Sequence, residues 1–139
     1  MEKEIIIEIK RLNEEIRGII KQQTDSDKTI ILQDDFIFDQ MRHNFSLDII
    51  EKALLNGLHL EDKHLYPEDP DKKHKGKNYY CIHRYKDYTF FVKYMLISYL
   101  KRPRCLVLFH ISPLHYGSKE QRRYKEIAKL LEDPSLKDT

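Results

Sequence analysis

The chain has 139 residues, the length of one domain, and 40% hydrophobic against 35% charged residues leaves material for one core inside an ionised surface. Its four glycines form no G-x-G-x-x-G or G-x-x-x-x-G-K pattern, which speaks against dinucleotide or P-loop chemistry. No apolar run approaches the ~18 residues of a membrane span, and Met1-Glu2-Lys3-Glu4 is not the start of a secretory signal. The expectation is a cytoplasmic protein without a membrane partner, with Cys81 and Cys105 reduced and buried as small apolar side chains.

Ile5, Ile9, Leu12, Ile16 and Ile19 alternate at spacings of four and three, which predicts an amphipathic helix over residues 3–23. Such a stripe either docks on the domain's own core or serves as a coiled-coil seam for a homodimer. After the polar turn Thr24-Asp25-Ser26-Asp27, a short helix is expected over residues 34–43 with Phe38, Met41 and Phe45 facing inwards. Ser46 can cap a third helix, Leu47–Asn56, with Asp48 in its first turn and Gly57 as its left-handed stop. Residues 61–78 have little to bury and read as a functional flap or a loop.

Three runs rich in aromatic and β-branched residues follow, at 79–85, 88–100 and 104–112, separated by Lys86-Asp87 and Lys101-Arg102-Pro103. They predict an antiparallel meander. A last helix over 119–132 starts at Ser118, with Gln121 at capping-box spacing, and carries Tyr124, Ile127, Ala128 and Leu131 on one stripe. The predicted class is thus a single α+β domain: an N-terminal helix at 1–23, an α+β core at 34–132 with a sheet of three or slightly more strands, and a tail at 133–139.

Strict alternation puts Cys105, Val107, Phe109 and Ile111 on one face of the last strand, and Arg104, Leu106, Leu108, His110 and Ser112 on the other. Lys93 stands in an otherwise hydrophobic strand between Phe91 and Met95 on its own face, a costly position unless its ammonium reaches water, an anion or a carboxylate. From residue 79 to residue 129 the acids are only Asp87, Glu120 and Glu126, whereas lysines, arginines, histidines and tyrosines are plentiful. That asymmetry suits a polyanion, with cations for phosphates and aromatic faces for unstacked bases. A solvated basic surface is the plain alternative.

Metal binding and serine hydrolysis find less support. His59, His64 and His74 lie near Asp62, Asp69 and Asp71 without metal-ligand spacing, and no G-x-S-x-G turn occurs. Histidine with lysine, arginine and tyrosine is the set that metal-free RNA cleavage uses: one group takes the 2′-hydroxyl proton, another protonates the leaving oxygen, and cations hold the phosphate charge. The candidates are His110, His115 and Lys93 for catalysis, and Arg84, Arg102, Arg122, Arg123, Tyr116 and Tyr124 for binding substrate, with no metal and no cofactor.

Two stretches resemble the BrnT toxins within the RelE/ParE-like group of type II toxin–antitoxin systems. Arg42-His43-Asn44-Phe45-Ser46-Leu47-Asp48 is similar to the Lys-His-Gly-Val-Ser-Phe-Glu that leads into a BrnT helix. Ile111-Ser112, Glu120 and Tyr124 fall at the offsets of the BrnT ending Ile-Ser-Ala-Arg followed by Glu-Arg-x-x-Tyr. The resemblance spans roughly residues 36–127. Leu114 and Gln121 replace two family arginines, and Phe109 or His110 a third. It implies a small ribonuclease that cuts messenger RNA without a metal and is neutralised by a cognate antitoxin. The alternative is a binding module of the same fold, without catalysis, that holds nucleic acid or an acidic protein.

Overall fold

The computed structural model describes residues 2–24, 28–67, 78–98 and 105–132. Element order is α1 (Glu2–Lys21), β1 (Ile30–Leu32), α2 (Asp34–Arg42), α3 (Leu47–Asn56), β2 (Leu58–Glu61), α4 (Asp62–Leu65), β3 (Tyr79–Tyr85), β4 (Tyr88–Ile97), β5 (Cys105–Pro113) and α5 (Lys119–Leu131). The predicted turn at 101–103, most of the loop at 61–78 and the tail at 133–139 lie outside the described residues.

The sheet has five strands in the order β1-β5-β4-β3-β2, β1 parallel to β5 and every other pair antiparallel. The meander is therefore extended by one short strand at each edge. β1 and β2 escape a periodicity reading because three and four residues are too few to show alternation. β2 and α4 also correct the reading of residues 61–78, since His64 and Leu65 are buried.

One face of the sheet packs against α2, α3 and the C-terminal half of α1. Ile16, Ile19, Phe36, Phe45, Ala53, Leu54, Phe90, Tyr94, Leu106, Leu108 and Ile111 form this continuous core. The predicted inward residues of α2 are corrected here: Phe38 and Met41 are 72% and 71% exposed, while Phe36 is fully buried. Phe45, just beyond the helix, is buried as expected. The other face carries a smaller cluster built from Ile6 and Ile9 of α1, Leu60, Leu65, Tyr80, Ile82 and Ile127 of α5.

α1 thus contributes to both clusters by lying along the β2 edge. Asn13 Nδ2 donates to the His59 carbonyl at 2.9 Å, and the His59 amide donates to Asn13 Oδ1 at 2.8 Å, so one side-chain amide supplies the two bonds that a neighbouring strand would. Of the stripe expected to dock or to dimerise, Ile9, Ile16 and Ile19 are buried inside the chain and Ile5 and Leu12 are half-buried against the two clusters, with Ile6 and Ile20 buried beside them.

Both predicted serine caps form, while the predicted glycine stop takes another shape. Ser46 Oγ accepts the Ile49 amide and Ser118 Oγ the Gln121 amide. Gly57, expected to be left-handed, is extended at φ −74°, and the left-handed residue between α2 and α3 is Asn44 at φ 59°. Gly57 is demanded by space instead: a Cβ there would stand 2.5 Å from the Ala53 carbonyl oxygen and 2.7 Å from Cys81 Sγ. Arg17 closes the same helix end by donating to the Leu55 and Gly57 carbonyls at 3.0 and 3.1 Å. Neither cysteine forms a disulfide among the described residues; Cys81 is buried as expected, whereas Cys105, also expected to be buried, is half-buried at the start of β5. No described helix is long and apolar enough to cross a membrane.

Candidate functional site

Strand pairing sets the site. Lys93 of β4 sits between Tyr80 of β3 and His110 of β5, and one rung along Phe91 sits between Ile82 and Ser112. A β-bulge breaks strict alternation, because Lys93 pairs with His110 while Tyr94 pairs with Leu108, leaving Phe109 as the extra residue. The period-two reading of β5 is corrected accordingly. Leu106, Leu108 and Ile111 join the large core, whereas Val107, His110 and Ser112 point to the opposite face with Lys93.

On that face α4 and α5 cover only part of the sheet. Between them a cavity of about 340 Å³ remains, floored by Tyr80, Phe91, His110 and Ser112, with His115 and Glu120 at its rim. Lys93 does not line it but is the cross-strand neighbour of Tyr80 and His110, half-buried, its Nζ 5.5 Å from the Tyr80 ring centre and 5.6 Å from that of Phe109. Lys93 has no carboxylate partner among the described residues. A partly desolvated ammonium over two π faces is held by the weaker kind of partner, and it gains from any anion that enters.

His110 is held from a different element. α2 runs beside the part of β5 that extends past β1, and Asp39 Oδ2 lies 2.6 Å from His110 Nδ1. A carboxylate can only accept, so Nδ1 carries the proton, and in the neutral ring Nε2 keeps its lone pair. Nε2 has no partner among the described residues. Asp39 is itself fixed by Arg42, whose guanidinium donates to Oδ1 at 2.9 Å. The Phe91 ring packs 5.6 Å from the imidazole. A carboxylate that orients a histidine whose second nitrogen is left open is the arrangement that a general base needs.

The cleft is less positive than its strands, because the chain brings acids to it. Asp39 comes from α2. Glu120 accepts the Tyr66 hydroxyl at 3.1 Å, and burial, with the nearby Glu120 and Asp62 charges, pushes that phenol up to about 12. Tyr80 is raised further, by burial first and then by Asp62. Both phenols therefore stay protonated and can donate.

The other sequence candidates disperse. Arg84, Tyr116 and Tyr124 line a second cavity, across Leu114 from the first. Arg123 is turned to α4, donating to the His64 carbonyl at 2.7 Å and to Glu126 at 3.2 Å, and is not a free phosphate holder. Arg122 is exposed on α5, and Arg102 lies outside the described residues. Asp39 went unread in the sequence. Once Phe36 is taken as the inward residue of α2, Asp39 follows three positions on and shares its side of the helix.

Two further histidine sites are structural. His59, fully buried, donates from Nε2 to the Leu54 carbonyl at 2.8 Å, so its Nδ1 accepts the Tyr94 hydroxyl at 2.7 Å. Burial lowers it to about 4. His64 forms with Glu8 and Glu61 a group compact enough for a metal ion, yet its Nδ1 accepts the Glu61 amide at 3.0 Å, which puts its proton on Nε2, facing Glu8. Lys63 already pairs with both carboxylates. The cluster is the cap of α4, with both histidine nitrogens already engaged.

Comparison with family models, with curated proteins and with solved structures finds no match to this chain.

Proposed function

We propose that this chain is a toxin-like, metal-independent endoribonuclease whose reacting phosphate occupies the cleft beside His110. The observation that carries the reading is the Asp39–His110 contact at 2.6 Å, with the unpaired Lys93 as cross-strand neighbour and His115 on the rim of the same cavity. His110 Nε2 takes the proton of a ribose 2′-hydroxyl, and the 2′ oxygen attacks phosphorus. The bond to the 5′ oxygen breaks as that oxygen receives a proton from His115, leaving a 2′,3′-cyclic phosphate and a 5′-hydroxyl. Lys93 stabilises the extra negative charge on the phosphoryl oxygens. The resemblance to BrnT toxins supports the same reading through Ser112 and Glu120, which line the cavity. The exposed Ile37, Phe38 and Met41 of α2 offer an antitoxin an apolar face next to Asp39.

The test is RNA cleavage in EDTA. The parent cuts, His110→Ala and His115→Ala each lose on the order of 10²–10⁴-fold in rate, and Asp39→Asn loses activity with little change in substrate affinity. Equal cleavage by parent and both histidine variants overturns the assignment. The three replaced family arginines favour a second reading as a binding module without catalysis. RNA binding without turnover, weakening steeply as salt rises, selects it.

A further inference from the structure

The segment that carries His115 passes directly into the second cavity. Leu114 walls both spaces, His115 rims the first and Tyr116 the second, which measures about 480 Å³. The turn between them is fixed by its own bonds: the Ser118 amide donates to the His115 carbonyl at 3.1 Å, and the Gly117 amide to Gln121 Oε1 at 2.6 Å. Gly117, at φ 75°, is the residue that permits this shape. Two chemically different side chains, adjacent in sequence, are thus presented to two adjoining sites by one preset loop.

The second cavity has the composition of a stacking site with charge at its margin. Tyr88, Tyr116 and Tyr124 supply aromatic faces, and Tyr116 is 91% exposed. Lys125 Nζ stands 5.7 Å over the Tyr116 ring. Arg84 and Lys129 have no ion pair among the described residues, although Asp87 and Glu132 also line the space. An exposed phenol ring flanked by cations fits a π-faced, anionic ligand better than an apolar one.

We propose that this cavity is a nucleotide subsite next to the cleavage cleft: an unpaired base stacks on Tyr116 while Lys125 and Arg84 hold its phosphate, so the substrate class is single-stranded RNA laid across the 114–117 turn. The proposal rests on the reading of the first cleft as the reacting site, but its test contains no cleavage step. A labelled hexanucleotide with 2′-O-methyl riboses, which cannot be cut, is compared with an abasic strand of the same length by fluorescence anisotropy. The parent is expected to bind the base-bearing strand about tenfold more tightly, the scale of one stacked base. Tyr116→Ala abolishes that preference. Lys125→Gln and Arg84→Gln weaken both strands and flatten the salt dependence. Circular dichroism confirms that these surface variants fold. Equal binding of the two strands by the parent, a preference that survives in Tyr116→Ala, or no binding at all overturns the subsite. A chain that shows the Tyr116 effect and cuts nothing keeps the subsite and loses the nuclease; one that cuts RNA but binds both strands equally does the reverse.

Discussion

The two faces of the sheet are built from the same three long strands, yet they differ in how completely helices cover them. Over one face α2, α3 and half of α1 leave no gap, and the strand residues beneath them, Phe90, Val92, Tyr94, Leu106, Leu108 and Ile111, are all inaccessible. Over the other, α4 is a single turn and α5 covers the β3 side, so Lys93, His110 and Ser112 stay half-exposed. Burial is concentrated on the covered face, and polar side chains stay reachable where cover stops. A polar row can be kept in mid-sheet because the opposite layer holds the strands in place.

The comparison breaks most clearly in the core. Phe36→Ala should cost about 3–5 kcal/mol, because a fully buried ring leaves a cavity, whereas Phe91→Ala should cost roughly half that, since its ring already borders the open cleft. Urea unfolding of both variants measures the gap, and equal losses would show that the two faces contribute alike.

Next in size is acid. His59 has its folded pKa lowered from 6.5 to about 4 by burial, so its neutral form stabilises the fold fully above pH 6.5, and that contribution is lost as pH falls from 6.5 towards 4. The slope is about 1.4 kcal/mol per pH unit and the total about 3 kcal/mol. Burial lowers His64 in the same direction. Denaturant midpoints at pH 7.5 and 4.5 should differ for the parent and differ less in His59→Gln, where the His64 contribution remains; the same difference in both would remove this account of His59.

The smallest effect concerns the β2 edge. Asn13→Ala leaves the His59 amide and carbonyl unpaired at a cost of about 1–3 kcal/mol. Hydrogen exchange should show the His59 amide opening faster, with β4 and β5 amides unaffected.

Much of the frame was legible from side-chain spacing. β3 and α3 have the predicted bounds, and α1 and α5 lie within a residue or two of theirs, because long periodic runs and serine caps are local signals. What was not legible depends on contacts distant in sequence. β1 exists because β5 offers it an edge, and Phe109 bulges because Lys93 pairs with His110. Asp39 matters through a strand seventy-one positions away. The charge count erred in the same way: the region from residue 79 to 129 is basic along the chain, but folding carries Asp39 and Asp62 onto it.

The edges of the sheet have a consequence for assembly. β2 is shut by α1 through Asn13, so of the two described edges β1 is the more open, with its Ile30 amide donating to Gln23 Oε1 at 3.1 Å. Joining two copies through β1 would make a ten-stranded sheet with both outer margins closed, and nothing further could add to it. Growth by pairing at the described edges then stops at two molecules.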